Sequence, residues 1–247
     1  MAYPSVIYAP ETSGEHLRTY STKRWPYGTK LILQDGREFR FAEVGAVALT
    51  VGVLVQSEVP GANFDELALP AAVSANAKSF DITNGATTIA AGDFDEGYIN
   101  VEDDAGEGHL YKIVDHDAEA AGSAAFTVFL ASGVIVAMTT ATTVGIVKHP
   151  TKDVIIHPSP QTAAIVGAVT RAQSANQFCW LQVKGPASVQ VQGTHVIGDL
   201  VVPSATTDGA CMPSAAIETD GPPVGVCMEV AATTEHGLVA LDILGFS

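Results

Sequence analysis

Glu102, Asp103, Asp104 and Glu107 crowd into one short stretch, followed by His109 and then by Asp115-His116-Asp117. Clustered carboxylates are hard oxygen donors, and Ca²⁺ takes roughly six to eight such ligands at flexible geometry. The stretch lacks the alternating Asp/Asn spacing and closing Glu of an EF-hand loop, so it reads as a solvated turn between two strands. Asp115-His116-Asp117 has the composition of a proton-relay dyad, but neither a nucleophile nor a glycine-rich phosphate loop accompanies it. Asp93, Asp95 and Glu96 flank the turn before Gly97-Tyr98. Paired carboxylates can serve a glycosidase, although the commoner role of such a group is to solvate a turn. His16, His149, His157, His195 and His236 show neither HxH nor HExxH spacing, and no Gly-x-Ser-x-Gly elbow occurs. The expectation is a protein that is not an enzyme and takes no cofactor and no metal.

The elements that would position these residues read as short strands. Ser188 to Gln192 alternates polar and apolar residues at period 2, the pattern of a strand with one buried face. Phe178 to Val183 is an aromatic-rich strand that Gly185-Pro186 stops, and Val196–Val202, Val224–Val230 and Leu238–Leu244 complete a C-terminal unit. Upstream, Lys30–Phe41 reads as a hairpin turning at Asp35-Gly36, and Lys78–Ala90 as one turning at Asn84-Gly85. Tyr98–Val101 and His109–Val114 flank the acidic loop. Ala125–Leu130 and Val134–Met138 pair around Ala131-Ser132-Gly133, and Thr143–Lys148 adds one more strand. The predicted architecture is all-β: an extended N-terminal arm over residues 1–30, a first β domain over 31–157, a connection over 158–176 and a C-terminal β-barrel over 177–247. The two units are small barrels or sandwiches.

Charged residues are only 16% of the 247. Much of the surface must therefore be Ser, Thr, Asn, Gln and small apolar groups, which suits a protein that covers itself with partners. The net charge is −15, unevenly spread: six of the twelve Lys and Arg lie in the first 40 residues beside four acids, so the arm is basic and the body strongly acidic. An acidic body repels nucleic acid, which is not expected as a partner. The most apolar run, Ala124–Met138, is too short to cross a bilayer and is broken by Ser132-Gly133, so no membrane is expected either. The N-terminus has no charged region followed by an apolar core and does not read as a signal peptide. Cys179, Cys211 and Cys227 are odd in number, without CxxC spacing, in apolar stretches; they read as buried free thiols in a reducing compartment.

The arm concentrates aromatic and basic residues: Tyr3, Tyr8, Arg18, Tyr20, Lys23, Arg24, Trp25 and Tyr27. An irregular segment of this composition has what it needs to dock onto another chain, and these eight residues are the expected partner-binding set.

A resemblance rests on a series of segments. Phe178-Cys179-Trp180-Leu181-Gln182-Val183-Lys184-Gly185-Pro186-Ala187 is followed by Gly198-Asp199-Leu200-Val201, the Asp208-Gly209 turn, Val224-Gly225-Val226 and Gly237-Leu238-Val239-Ala240-Leu241. Together with Asp35-Gly36-Arg37-Glu38-Phe39-Arg40-Phe41-Ala42-Glu43 they cover about half the chain. This pattern resembles β-rich structural proteins of tailed bacteriophages, in particular capsid decoration (cement) proteins. The resemblance implies a virion structural protein on the outer surface of the capsid, assembled in the host cytoplasm. It would bind the major capsid protein, associate with itself as a homotrimer and brace the shell against internal pressure. Two other roles compete with it: a tail or head–tail connector component, and a carbohydrate-binding β protein.

Overall fold

The computed structural model describes residues 5–120, 124–215, 221–243 and 245. The chain is nearly all β, and it falls into two compact units. The larger unit is discontinuous, made of residues up to Val59 and from Pro150 onward, and the smaller one is the insertion Pro60–His149. This replaces the expected boundary at 158–176. The physical reason lies in strand pairing: the N-terminal strands take their hydrogen-bonding partners from the C-terminal third, so neither end makes a unit alone.

The strands are numbered in chain order. The first part of the larger unit supplies β1 (Val6–Ala9), β2 (Lys30–Leu33), β3 (Glu38–Glu43) and β4 (Leu54–Gln56). β2 and β3 form the expected hairpin, with Leu31 opposite Phe39, and Gly36 at φ 87° makes the turn. β1 adds to β2 in parallel as an edge strand.

The insertion supplies β5 (Leu67–Ala68), β6 (Ser79–Thr83), β7 (Tyr98–Asp103), β8 (Leu110–His116), β9 (Ala125–Leu130) and β10 (Thr143–Val147). They pair in the order β5-β10-β7-β8-β9-β6, and β5 returns beside β6, so the sheet is a nearly closed barrel. Phe80, Ile82, Ile99, Tyr111, Ile113, Phe126 and Ile146 fill it. The expected hairpin at Asn84-Gly85 is not formed. β6 pairs over its whole length with β9, from Ser79 opposite Phe129 to Thr83 opposite Ala125. Asn84 instead anchors a loop, its side chain donating to the Thr87 carbonyl at 2.9 Å and its N–H to that of Ala124 at 2.8 Å. β9 likewise pairs with β6 and β8 and not with Val134–Met138.

The chain then completes the larger unit with β11 (Ile155–Ile156), β12 (Ile165–Val169), β13 (Phe178–Gln190), β14 (Leu200–Pro203), β15 (Cys211–Pro213), β16 (Gly225–Cys227) and β17 (His236–Asp242). The main order is β1-β2-β3-β13-β17-β16-β14-β15, with β12 and β4 joined to β13 and β11 joined to β4. Gly185-Pro186 does not stop β13, which runs thirteen residues through it. Gly185 bends the strand at φ 88°, and the Gln182 side-chain amide donates to the carbonyls of Lys184, Gly185 and Pro186 at 3.2, 3.3 and 2.8 Å. At this bend β13 changes partner: Phe178–Lys184 pairs with β3, and Lys184–Gln190 pairs with β17.

One local device recurs. Leu49, Val73, Ile89, Gln173, His195 and Ala231 each form an isolated bridge, and three residues after each the chain takes a positive φ, at Gly52, Asn76, Gly92, Asn176, Gly198 and Thr234. A strand follows: β4, β6, β7, β13, β14 or β17. Leu49 bridges Gln173 and His195 bridges Ala231, so in the larger unit the turns pair with one another.

Candidate functional site

β2, β3 and the first half of β13 carry Leu31, Leu33, Phe39, Phe41, Phe178 and Trp180 in one cluster. So many large apolar side chains must be covered, and the N-terminal segment covers them. It runs from β1 through two single turns of 3₁₀ helix, Glu11–Ser13 and Glu15–Leu17, and then meets β13 where Tyr20 and Phe178 exchange backbone hydrogen bonds at 2.9 Å. Trp25 packs on Trp180 and Phe41 with ring centres 5.2 and 5.3 Å away, and Tyr20 meets Trp25 edge-on at 5.4 Å. Tyr27 is buried at 7% exposure and stacks near Phe178.

The polar atoms of this layer are also used internally. The Glu15 carboxylate accepts from the Tyr20 hydroxyl and, at 3.4 Å, from the Trp180 indole N–H, while Arg18 pairs with it at 3.4 Å. Burial, with Glu15 beside it, pushes the Tyr20 hydroxyl up to about 12. The Tyr27 hydroxyl donates to the Glu43 carboxylate, which Lys152 approaches at 3.4 Å. The His16 ring lies 5.3 Å from Phe39, and its Nδ1 is buried without a partner. Burial and then the Arg37 guanidinium hold its pKa below the ordinary range.

The expected partner-binding set is therefore divided. Tyr20, Trp25 and Tyr27 face the chain's own sheet and are not an extended arm's anchors, because the aromatic face of β3 and β13 needs them. Tyr8 on β1 stands 76% exposed. Arg18, Lys23 and Arg24 are exposed, with the Lys23 ammonium 3.6 Å above the Tyr27 ring and the Arg24 guanidinium 5.5 Å from that of Tyr20. Tyr3 lies outside the described residues.

The candidates for chemistry in the insertion serve its loops. Asp104 accepts from the Thr139 hydroxyl at 2.6 Å, tying the acidic loop to the turn before β10, and Glu107 points to solvent. Among the described residues no three His, Cys, Asp or Glu side chains converge as a metal site. The Phe94 N–H donates to His116 Nε2 at 3.0 Å, which leaves Nδ1 to donate to the Asp117 carbonyl at 2.9 Å. Both nitrogens of the histidine in the Asp115-His116-Asp117 run are thus occupied by backbone. Asp93 accepts the Ala90 N–H at 2.8 Å inside its turn.

The sequence reading placed Glu102 with Asp103, Asp104 and Glu107 in a solvated turn, but the fold sets it at the end of β7 in a cleft of about 350 Å³ lined by Phe64, Asp65, Asn100 and Ile146. Its carboxylate accepts the Glu66 N–H at 2.9 Å and occupies the space a side chain at Gly145 would need. Burial pushes its pKa up, and Asp65 beside it adds to the push.

The sequence reading also missed the outward sides of the sheets. Leu110 and Val114 on β8, with Ile135 beyond β9, are 62, 54 and 65% exposed. On the larger unit Val196, Ile197, Met228 and Val230 are 52, 64, 42 and 63% exposed. Leu110 and Val114, on the same parity of β8 as Lys112, were the available signal, because only one parity of a strand can enter a core. No protein family, curated protein or solved structure matches this chain.

Proposed function

We propose that this chain is a virion structural protein, a decoration or cement protein that binds the outer surface of an assembled capsid shell as a homotrimer. The observation that carries the reading is the set of large apolar side chains left exposed on both sheets and on the turns beside them. An antiparallel sheet with one face in water ordinarily sets polar residues there, whereas here Leu110 and Val114 on β8, and separately Leu200 on β14 and Val226 on β16, stand in that position, with Met228 and Val230 exposed just past the end of β16. A surface of this kind fits a protein partner, the major capsid protein, better than a nucleic acid, which a net charge of −15 repels. Many copies on one shell let individually weak contacts add up through avidity.

With Tyr20, Trp25 and Tyr27 committed to the chain's own sheet, contacts with the shell and between copies fall to the outward apolar residues and to the basic side chains that remain exposed. Quantitative mass spectrometry of particles from cells carrying the gene tests the reading. Hundreds of copies per particle are expected. A dozen or fewer moves the chain to the tail or connector, and complete absence from particles refutes a virion role.

A further inference from the structure

Residues directly opposite one another in an antiparallel sheet point to the same side. Pro186 on β13 lies opposite Ala240 on β17, Ala240 opposite Val226 on β16, and Val226 opposite Leu200 on β14. This row crosses four strands without a charge. Beside it, Ser188 lies opposite Leu238, whose carbonyl accepts the Met228 N–H at 2.8 Å. The alternate residues Ala187, Val189, Val239, Leu241, Cys227 and Val201 are buried in the core. The uncharged rows therefore face away from it, and Leu200 and Val226 there, with Ile197, Met228 and Val230 in the turns beside β14 and β16, leave on the order of 400 Å² in water, a size at which patches on monomers are often functional. The rim is acidic: Asp199, Glu229, Glu235 and Asp242 lie beside the face, with Lys184 4.0 Å from Asp242 as a cation at its edge.

An occupant must be apolar at its centre and positive around it. The larger unit itself carries such a surface. Residues 17–24 present Leu17, 38% exposed, together with exposed Arg18, Lys23 and Arg24, and contain no acid. That segment joins β13 at Phe178, while the apolar face begins at Pro186, about 26 Å further along at the usual rise of a strand. It also extends away from β3, toward β14. The two surfaces of one copy therefore point to different neighbours.

We propose that the apolar face of β13, β17, β16 and β14 takes the basic 17–24 segment of a second copy, in a head-to-tail contact. Self-association of chains at −15 is opposed by their charge, and this contact sets the basic part of one copy on the acidic rim of the next. A face-to-face pair would stack two acidic rims. Head-to-tail contacts close into rings when the rotation between copies permits, and the contact rests on the shell-binding reading only for the expected number of three.

Sedimentation velocity of the full chain over a range of concentration and salt tests the contact. The wild type is expected to associate, more weakly as salt rises. Met228→Lys with Val230→Lys should weaken association at least tenfold, and so should Arg18→Glu with Lys23→Glu and Arg24→Glu. These side chains are all exposed, and a wild-type circular dichroism spectrum with one cooperative thermal transition confirms that each variant folds. Adding Glu229→Lys to the triple reversal should restore part of the loss. A wild type that stays monomeric overturns the proposal, as does association that survives the triple reversal. A chain that is monomeric throughout yet saturates shells removes this contact and leaves the shell reading standing; one that associates as described but never binds shells does the reverse.

Discussion

Cys179 and Cys211 sit in the core of the larger unit, and burial pushes both thiols up to about 12. An unfolded thiol ionises near 8.5 to 9. Because the folded pKa is the raised one, the folded state holds these protons longer, and the stability they lend is complete below about pH 9 and falls as pH rises toward 12. At pH 10.5 the two together remove on the order of 4 kcal/mol. Urea titrations at pH 8, 9 and 10.5 should show that fall, and Cys179→Ala with Cys211→Ala should flatten it while lowering stability at pH 8 through lost packing. An equally steep fall in the double variant would assign the alkaline loss to other groups. The burial of these thiols was legible in the sequence, since each stands in an apolar stretch. The internal employment of Tyr20, Trp25 and Tyr27 was not, because composition says which residues want a partner and not whose surface supplies it.

At the scale of elements, the N-terminal segment acts as the lid of an aromatic layer. Truncation to Thr29 removes the rings that shield Phe41, Phe178 and Trp180. Losing one large buried aromatic ordinarily costs about 3–5 kcal/mol, so the truncated chain should lose at least that much, read as a drop in the denaturation midpoint. Trp25→Ala should cost part of it with the backbone of the segment still in place. Undiminished stability in the truncated chain would mean that this layer is not held by the segment. Strand existence was largely legible, as at Ser188–Gln192, where alternation fixes the buried parity. Strand pairing was not. Asn84-Gly85 has the residues of a hairpin turn, yet β6 finds its partner more than forty residues later in β9, and no local preference encodes that choice. The recurring turn left one trace, the repeated Ser-Ala-Asn at 74–76 and 174–176. Its other copies use Gly or Thr at the positive-φ position, so the repeat lies in backbone conformation more than in residue identity.

At the scale of the whole molecule, the smaller unit is a guest within the larger one. Ile155 pairs with Gln56, so the two places where the chain leaves and re-enters the larger unit lie side by side on β4 and β11. Replacing residues 60–149 by a short turn should therefore leave a folded larger unit with a single cooperative transition. The isolated 60–149 segment should fold as well, since the core of the barrel is its own. Circular dichroism and denaturant titration of the two pieces check both expectations, and an unfolded larger piece would show that it depends on its guest. Composition could not reveal this arrangement, because Pro60 and Pro150 at the crossings look like any other loop prolines.

The split also imposes an order on biosynthesis. β3 leaves the ribosome with its main partner, β13, still some 135 residues from being made. At common elongation rates of about 5 to 20 residues per second that is a wait of roughly 7 to 27 seconds, during which Phe39 and Phe41 lack the packing that Phe178 and Trp180 supply. The inserted barrel, with its strands close together in sequence, can form in that interval. Nascent chains should thus gain protease resistance first at the centre of the sequence and only later, nearly together, at its two ends.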